Sequence, residues 1–431
     1  MNLALAWRDP VSAFAPFADE PYAVLLLSAG LGGGRWSYLA RQPSETARVG
    51  PGDGDRDFAR LRRMLGPRRP AVTAGPPFQG GVIGLIAYEF GDRLEPLGLP
   101  RDPDWPDLIL ARYDAVLAFD HQTRGVIPLG PSAGWLDERP APFRDHGPPA
   151  ASYRANAPAE AYECAVGTVK RRIGAGEIFQ ANIARGWSGV LKPGTAPFDA
   201  FARLVADSPA PYCAYWRLPR LALVSHSPER FLTVAGDRVE TSPIKGTRPR
   251  SVDPAEDRLL ADELLASEKD RAENLMIVDL MRNDLSRVCQ PGSVKTPRLF
   301  ALQSHPSVHH LVSTVTGRLR ADVDAADLLA AAFPPGSITG APKIQAMKVI
   351  AAHEPPRGPW CGALFWAGVD GAFESSVLIR TATFVETDGG GWRFRVTAGA
   401  GIVADSDPPS ERLETEVKAS GLARALTGAP R

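Results

Sequence analysis

Two short stretches hold carboxylates at a spacing suited to chemistry. In Ser267-Glu-Lys-Asp-Arg-Ala-Glu-Asn274, Asp270 and Glu273 stand three apart and share one helical face. In Ser410-Glu-Arg-Leu-Glu-Thr-Glu-Val-Lys418, Glu411 and Glu414 repeat that spacing, with Lys418 one turn beyond Glu414. Two helices that each present a carboxylate pair could hold one hard divalent cation through oxygen ligands. Positions left over would serve substrate oxygens and water, a partial coordination that suits Mg²⁺ better than a full protein cage does. Two solvated charged faces would show the same spacing, so spacing alone leaves both readings open.

Ser267 has the character of an N-cap, with acids in the first turns where the helix dipole favours them. From Leu275 to Leu285 apolar residues fall on almost every face, which predicts a helix buried all round. Carboxylates entering such a core need a cation or a hydrogen-bonded partner. Upstream, strand-like 22–27 runs into Gly30-Leu-Gly-Gly-Gly34, and with no Lys-Ser/Thr following, that run reads as a flexible turn rather than a phosphate loop. Further strands are expected at 35–39, at 80–90 running into a helix, and twice within 107–120. Residues 130–159, rich in Pro, Gly and Ala, read as a linker or long loop. An amphipathic helix over 159–173, closed by Gly174 and Gly176, opens the second part. Strands then follow around 178–186, 212–217, 221–226, 230–240, 308–319, 361–369, 375–385 and 392–403. Helices are expected at 325–332, 343–353 and 409–426. Strands in runs, rather than strict alternation with helices, favour α+β with antiparallel sheets. The organisation expected is 1–130, a linker at 131–158, and 159–426.

At 431 residues the chain exceeds one ordinary core. Lys plus Arg and Asp plus Glu both total 49, so neither a nucleic-acid nor a membrane footprint is expected. Cys164, Cys213, Cys289 and Cys361 lie far apart with no CxxC, which argues against zinc clusters and disulfides and for a reducing compartment. An early Arg8 and Asp9 leave no evident signal peptide, and no apolar run reaches spanning length; a cytoplasmic setting is expected.

An ordered set of motifs makes the reading specific. It comprises Gly176-Glu-Ile-Phe-Gln-Ala-Asn182, Ser227-Pro-Glu-Arg-Phe231, Ser242-Pro-Ile-Lys-Gly-Thr-Arg-Pro-Arg250 and Val308-His-His-Leu-Val-Ser-Thr-Val-Thr-Gly317. Phe333-Pro-Pro-Gly-Ser-Ile-Thr-Gly-Ala-Pro-Lys343 and Ala398-Gly-Ala-Gly-Ile-Val-Ala-Asp-Ser406 complete it. With the two acid stretches, this set resembles the chorismate-utilising enzymes: component I of anthranilate and aminodeoxychorismate synthases, and the isochorismate and salicylate synthases. The match is strong over roughly 160–420, and Gly80–Tyr88 resembles the amino-terminal part of the first two branches. The fold implied is the anthranilate synthase component I-like one, two packed antiparallel sheets flanked by helices, with both halves contributing strands.

Within the family, the resemblance leans to the aminodeoxychorismate branch. Gln180 stands where the isochorismate and salicylate branches carry a water-activating lysine, and glutamine cannot act as a base. Lys245 stands where anthranilate synthases usually have alanine. The resemblance then implies Glu273 and Glu414 as Mg²⁺ ligands, with Asp270 and Glu411 binding metal-bound waters. Gln180, Gly246, Thr247, Arg380, Gly399, Gly401 and Lys418 match substrate-binding positions, Arg380 able to bind a carboxylate bidentately and Lys418 as a point charge. Glu229 is implied as the acid for the departing C4 oxygen, Lys245 as the nucleophile at C2 and His310 as the active-site histidine. The attack needs the neutral amine, which bound Mg²⁺ is expected to favour. His309 and His310 alternate along a strand, so one is expected to face inward and the other outward. No cysteine sits in a Gly-x-Cys-x-Gly elbow, so a separate glutamine amidotransferase subunit, or free ammonia, is the implied nitrogen source. Anthranilate synthase component I is the alternative. A non-catalytic partner-binding paralogue is weaker, because both carboxylate pairs, Lys245 and Glu229 are present.

Two departures stand out. Trp360, where tyrosine is usual, is expected to line the substrate pocket. Leu27 replaces a glutamate of the segment that lines a tryptophan pocket in the family, so tryptophan regulation is not expected.

Overall fold

The computed structural model describes residues 5–28, 34–54, 58–70, 75–137, 145–305 and 308–429. The glycine-rich run 30–34 lies, but for Gly34, outside the described residues. Two antiparallel sheets form the centre. The larger runs Leu5–Ala6, Gly125–Leu129, Val116–Asp120, Trp36–Ala40, Val24–Leu27, Tyr212–Leu218, Leu221–Ser227, Thr381–Glu386, Trp392–Ile402, Gln180–Val190 and Gly340–Ala341. The second runs Ile244–Pro249, Val308–Arg318, Arg238–Thr241, Arg230–Ala235, Phe373–Val377, Ala363–Gly368, Gly81–Ile86, Leu108–Tyr113 and Glu45–Val49. Each sheet takes strands from before residue 130 and from after residue 159.

Burial explains the layering. Tyr38, Trp216 and Leu223 of the larger sheet meet Ile83, Ile109 and Leu364 of the second in one buried cluster, the seam between the sheets. The outer face of the larger sheet packs on the helices Pro197–Asp207 and Pro408–Thr427 through Phe198, Phe201, Leu422 and Leu426. The outer face of the second packs on Glu268–Ser286 and Ala325–Ala332 through Ile277, Val278, Met281 and Leu329. Strands with little polar relief, such as Gly81–Ile86, are buried throughout because both of their faces are covered.

Most expected elements form within a residue or two of their bounds, helix 325–332 among them. The Glu268–Ser286 helix departs from expectation: it buries one face, and Leu275 is 44% exposed. Arg271, Asp279, Arg282 and Asn283 share that helix and face solvent, so its apolar residues between Leu275 and Leu285 do not all reach the core. Within 131–158 the described residues carry a short 3₁₀ turn at Ala133–Leu136 and a strand at Arg154–Ala155 that pairs with Gln180–Val190. The helices Pro197–Asp207 and Pro254–Ala266 and the strand Lys295–Ser304 were not expected. The second of these buries only Ala261 and Leu264, and leaves Leu259 and Leu265 exposed, so its apolar residues do not mark one buried face.

Candidate active site

Where the ends of the two sheets part, a cavity of about 690 Å³ opens between them. Glu229 enters it at the crossing from Leu221–Ser227 in one sheet to Arg230–Ala235 in the other. Its amide donates to Ser227 Oγ at 3.2 Å, and its carbonyl accepts from Val377 N at 3.1 Å, which pins the crossing. Burial pushes the Glu229 carboxyl up to about 7, against smaller opposing effects from the Ser337 hydroxyl, Lys245 and Lys418.

Lys245 sits in the strand Ile244–Pro249, whose register against Val308–Arg318 shifts between Ile244 and Thr247. Such a bulge re-aims a side chain. Lys245 Nζ reaches toward the Ser337 carbonyl at 3.5 Å. The next residue, Gly246, has φ +79°, and a Cβ there would lie 2.8 Å from Leu264 and 2.9 Å from the Asp270 carboxyl carbon. Only glycine lets the strand turn so close to the acid-bearing helix.

Thr247 Oγ1 and His310 Nδ1 are 2.9 Å apart, and burial, helped by the charge of Arg380, pulls the His310 imidazole down to about 4. His310 is therefore neutral at pH 7. His309 points to the opposite face of its strand but is not solvent-exposed, as the outward expectation required. It is buried beneath the Pro254–Ala266 helix, with Nε2 3.0 Å from Asp257 and Nδ1 2.8 Å from Ser304 Oγ. Arg380 lines the cavity, and burial alone perturbs it, with no described carboxylate set against its guanidinium. A half-buried cation with no carboxylate beside it among the described residues suits a carboxylate ligand.

All four acids of the two helices line this cavity. Lys418 Nζ lies 2.6 Å from Glu414 and donates to the Gly399 carbonyl at 3.0 Å. Ser406 Oγ donates to Glu411 at 2.6 Å, Lys269 lies 3.8 Å from Glu411, and Arg248 lies 3.4 Å from Asp270. Burial raises the Glu273 carboxyl above its ordinary range, and the neighbouring Asp270 and Glu414 add to this against Lys245 and Lys269. Among the described residues the four do not converge into a three-carboxylate cluster; protein cations and a hydroxyl hold three of them. The donor set is all oxygen and crowded with like charge, which fits a hard divalent cation.

Trp360, Gly399 and Gly401 also line the cavity. A Cβ on Gly399 would lie 2.4 Å from Asn182 Oδ1 and 3.0 Å from Trp360, and one on Gly401 2.4 Å from Gln180 Nε2 and 3.5 Å from Lys245 Nζ. The glycines thus let two carboxamides lie across their strand. Gln180 is the one expected site residue that does not line the cavity: it is buried behind Gly401. Asn182 and Ser337 line it although sequence reasoning did not single them out. Both lie inside quoted motifs, and their polar side chains among apolar neighbours were the available signal.

A second cavity, about 270 Å³, is lined by Leu27 together with Tyr212, Arg230 and Glu374. The carboxylate that Leu27 lacks is therefore present there on another strand.

With this geometry in place, the comparisons are direct. A family model described as chorismate binding enzyme matches residues 26–424. The chain belongs to that family of enzymes. It is 38% identical to aminodeoxychorismate synthase component 1 of Klebsiella aerogenes over 98% of both chains, and 40% identical to that of Escherichia coli over 83% of this chain and 79% of the other. It is also 37% identical to anthranilate synthase component 1 of Streptomyces coelicolor, over 97% of this chain and 86% of that one. Among solved structures, anthranilate synthase component I of Streptococcus pneumoniae superposes with a TM-score of 0.79 at 28% identity, covering 91% of this chain and 92% of that one. The α+β expectation of two antiparallel sheets with flanking helices holds. No helix among the described residues is long and apolar enough to cross a membrane.

Proposed function

We propose that this chain is the chorismate-converting component of an aminodeoxychorismate synthase, making 4-amino-4-deoxychorismate from chorismate and ammonia. The observation that carries the reading is Lys245, a primary amine on the wall of the cavity that also holds the buried acid Glu229. An amine so placed can act as a nucleophile in its neutral form. Relatives named aminodeoxychorismate synthase component 1, at 38–40% identity, support it.

In this reading Arg380, Thr247 and the Gly399–Gly401 backbone bind the substrate carboxylates. Neutral Lys245 Nζ bonds to C2 while both double bonds of the ring diene shift toward C4 and the C4–O bond breaks. Glu229 gives its proton to the departing oxygen, so water leaves rather than hydroxide. Ammonia then bonds to C4, both double bonds shift back and the C2–Nζ bond breaks, freeing the neutral lysine, while the new C4 ammonium returns a proton to Glu229. Mg²⁺ held by Glu273 and Glu414, with Asp270 and Glu411 on its waters, would supply Lewis-acid charge stabilisation at the ring carboxylate. Gln180 has no base to offer a water at C2. A glutamine amidotransferase subunit would supply the ammonia, and four free cysteines suit a reducing cytoplasm.

Anthranilate synthase component I is the second reading, favoured by His310 on the cavity wall and by the Streptomyces coelicolor relative. Product identity separates the two. Purified chain, chorismate, Mg²⁺ and ammonia should give a product that retains the enolpyruvyl group and that an added lyase converts to 4-aminobenzoate. Anthranilate plus pyruvate would reject the leading reading.

A further inference from the structure

Two segments of the chain pass between the sheets side by side. Leu221–Ser227 of the larger sheet continues into Arg230–Ala235 of the second, and Phe373–Val377 of the second returns to the larger as Thr381–Glu386. The crossings are antiparallel neighbours, with Ser225 paired to Thr381 on one side and Arg230 to Ser376 on the other. Between these pairs stand Glu229 on the first crossing and Arg380 on the second, and both line the cavity. Val377 N donates to the Glu229 carbonyl at 3.1 Å and His226 N to the Arg380 carbonyl at 3.0 Å, so each crossing holds the other.

Arg380 has φ +49°, in the left-handed region. A side chain with a Cβ is crowded by its own backbone there, so an arginine stays only where its surroundings over-determine it. Two hydroxyls do so. Thr381 Oγ1 donates to the Ile379 carbonyl at 3.0 Å, a bond that spans Arg380 and closes the backbone around it. This uses the one proton of the threonine hydroxyl, so the Ser225 hydroxyl, 3.0 Å away, donates to Thr381 Oγ1. Both residues are buried, and solvent does not compete for these bonds. On the near side, Leu378 N donates to the Gly362 carbonyl at 2.9 Å, and the Leu378 carbonyl accepts from Cys361 N at 2.8 Å.

Resting on the reading of Arg380 as a ligand of a substrate carboxylate, we propose that Thr381 is its positioning residue. The Thr381 hydroxyl holds Arg380 in the left-handed conformation that presents the guanidinium to the cavity, and Ser225 holds Thr381. Without that bond Arg380 relaxes toward the extended φ of the strand that follows it, about −140°. Such a rotation about N–Cα swings the side chain to another direction, and a bidentate contact with a carboxylate does not survive it.

The test reads chorismate affinity by calorimetry on the full chain carrying Lys245→Ala, with Mg²⁺ and without ammonia, so that no covalent step intervenes. On that background Thr381→Val keeps the branched shape and drops the hydroxyl. It should raise Kd about tenfold, the scale of one hydrogen bond to a charged group. Thr381→Ser keeps the hydroxyl and should keep the parent Kd. Arg380→Ala should raise Kd at least as much, and Thr381→Val added to Arg380→Ala should raise it no further, as expected of one residue acting through the other. A threonine that served only the fold would lower the urea midpoint and leave Kd alone. A Kd unmoved in Thr381→Val, moved equally in Thr381→Ser, or raised again by Thr381→Val once Arg380 is gone overturns the proposal. A Kd unmoved in Arg380→Ala rejects the reading of Arg380 itself, and this inference with it. With ammonia left out, the outcome does not depend on which product the wild type makes.

Discussion

At the scale of residues, burial sets groups of the cavity to different protonation states. Glu229 is raised from a carboxyl's ordinary 4.5 to about 7, so it stays protonated below that pH and loses its proton as pH rises through it. An acid catalyst is active only in the protonated form. The wild-type advantage in kcat/KM over Glu229→Gln, about 10²–10⁴ at low pH, should therefore shrink as pH climbs through about 7. An advantage that does not shrink across neutral pH would assign the acid elsewhere. Lys245→Ala should cost about 10³–10⁶ in turnover, the range for removing a covalent nucleophile. Rapid quench with mass detection should show no adduct in that variant and a chain-bound ring in the wild type. Lys245 and Glu229 were legible because each stands in a motif of fixed wording. Ser337 and Asn182 were not, because what gives them a place is a cavity wall assembled from distant segments.

At the scale of elements, two helices deliver the carboxylates, and each is anchored by its own local chemistry. Ser267 caps Glu268–Ser286 by accepting from Asp270 N at 3.2 Å. Ser267→Ala should cost about 1 kcal/mol of stability, read as a lower urea midpoint. Because Asp270 is in the first turn, the same change should loosen the acid pair it belongs to. At the second helix, Asp407 accepts from Ser410 N at 3.1 Å and sets the start of the turn bearing Glu411. Chelation by EDTA should abolish chorismate turnover, and added Mg²⁺ should restore it. Glu273→Gln should then need more Mg²⁺ for half-maximal rate, and an unchanged requirement would remove Glu273 from the proposed ligand set. The helix dipole and caps were readable from sequence. That the Glu268–Ser286 helix keeps one face in solvent was not, since its partners are strands on either side of it in the chain, Ile244–Pro249 and Val308–Arg318 among them.

At the scale of the molecule, both sheets interleave strands from the two ends of the sequence, and the cavity lies where they part. Arg357 ties these parts together, donating to Asn182 O at 2.7 Å and Ile338 O at 3.0 Å, while Glu89 accepts its amide from the amino-terminal half. Arg357→Ala should cost about 3–5 kcal/mol, the range for breaking a buried ion pair, with turnover lost beyond what the fall in folded fraction explains. A chain begun at residue 159 would strip Val24–Leu27 from the edge of Tyr212–Leu218 and Gly81–Ile86 from that of Ala363–Gly368. Those bared edges should aggregate, visible as void-volume elution on gel filtration.

What the sequence determined by itself was the alphabet of the site: the motifs, their order, and the α+β run of strands and helices around them. Those depend on neighbours a few residues apart, through periodicity, caps and turn chemistry. The tertiary structure alone decided which of these residues meet. It covered His309 with a helix, backed Gly401 with Gln180, gave Leu27's cavity a carboxylate from Glu374, and brought the Ser337 turn against Lys245, 92 positions away. The physical reason is that burial and Coulomb interaction depend on distance through space. A chain's local pattern records which face of an element is apolar, but not which other element will cover it.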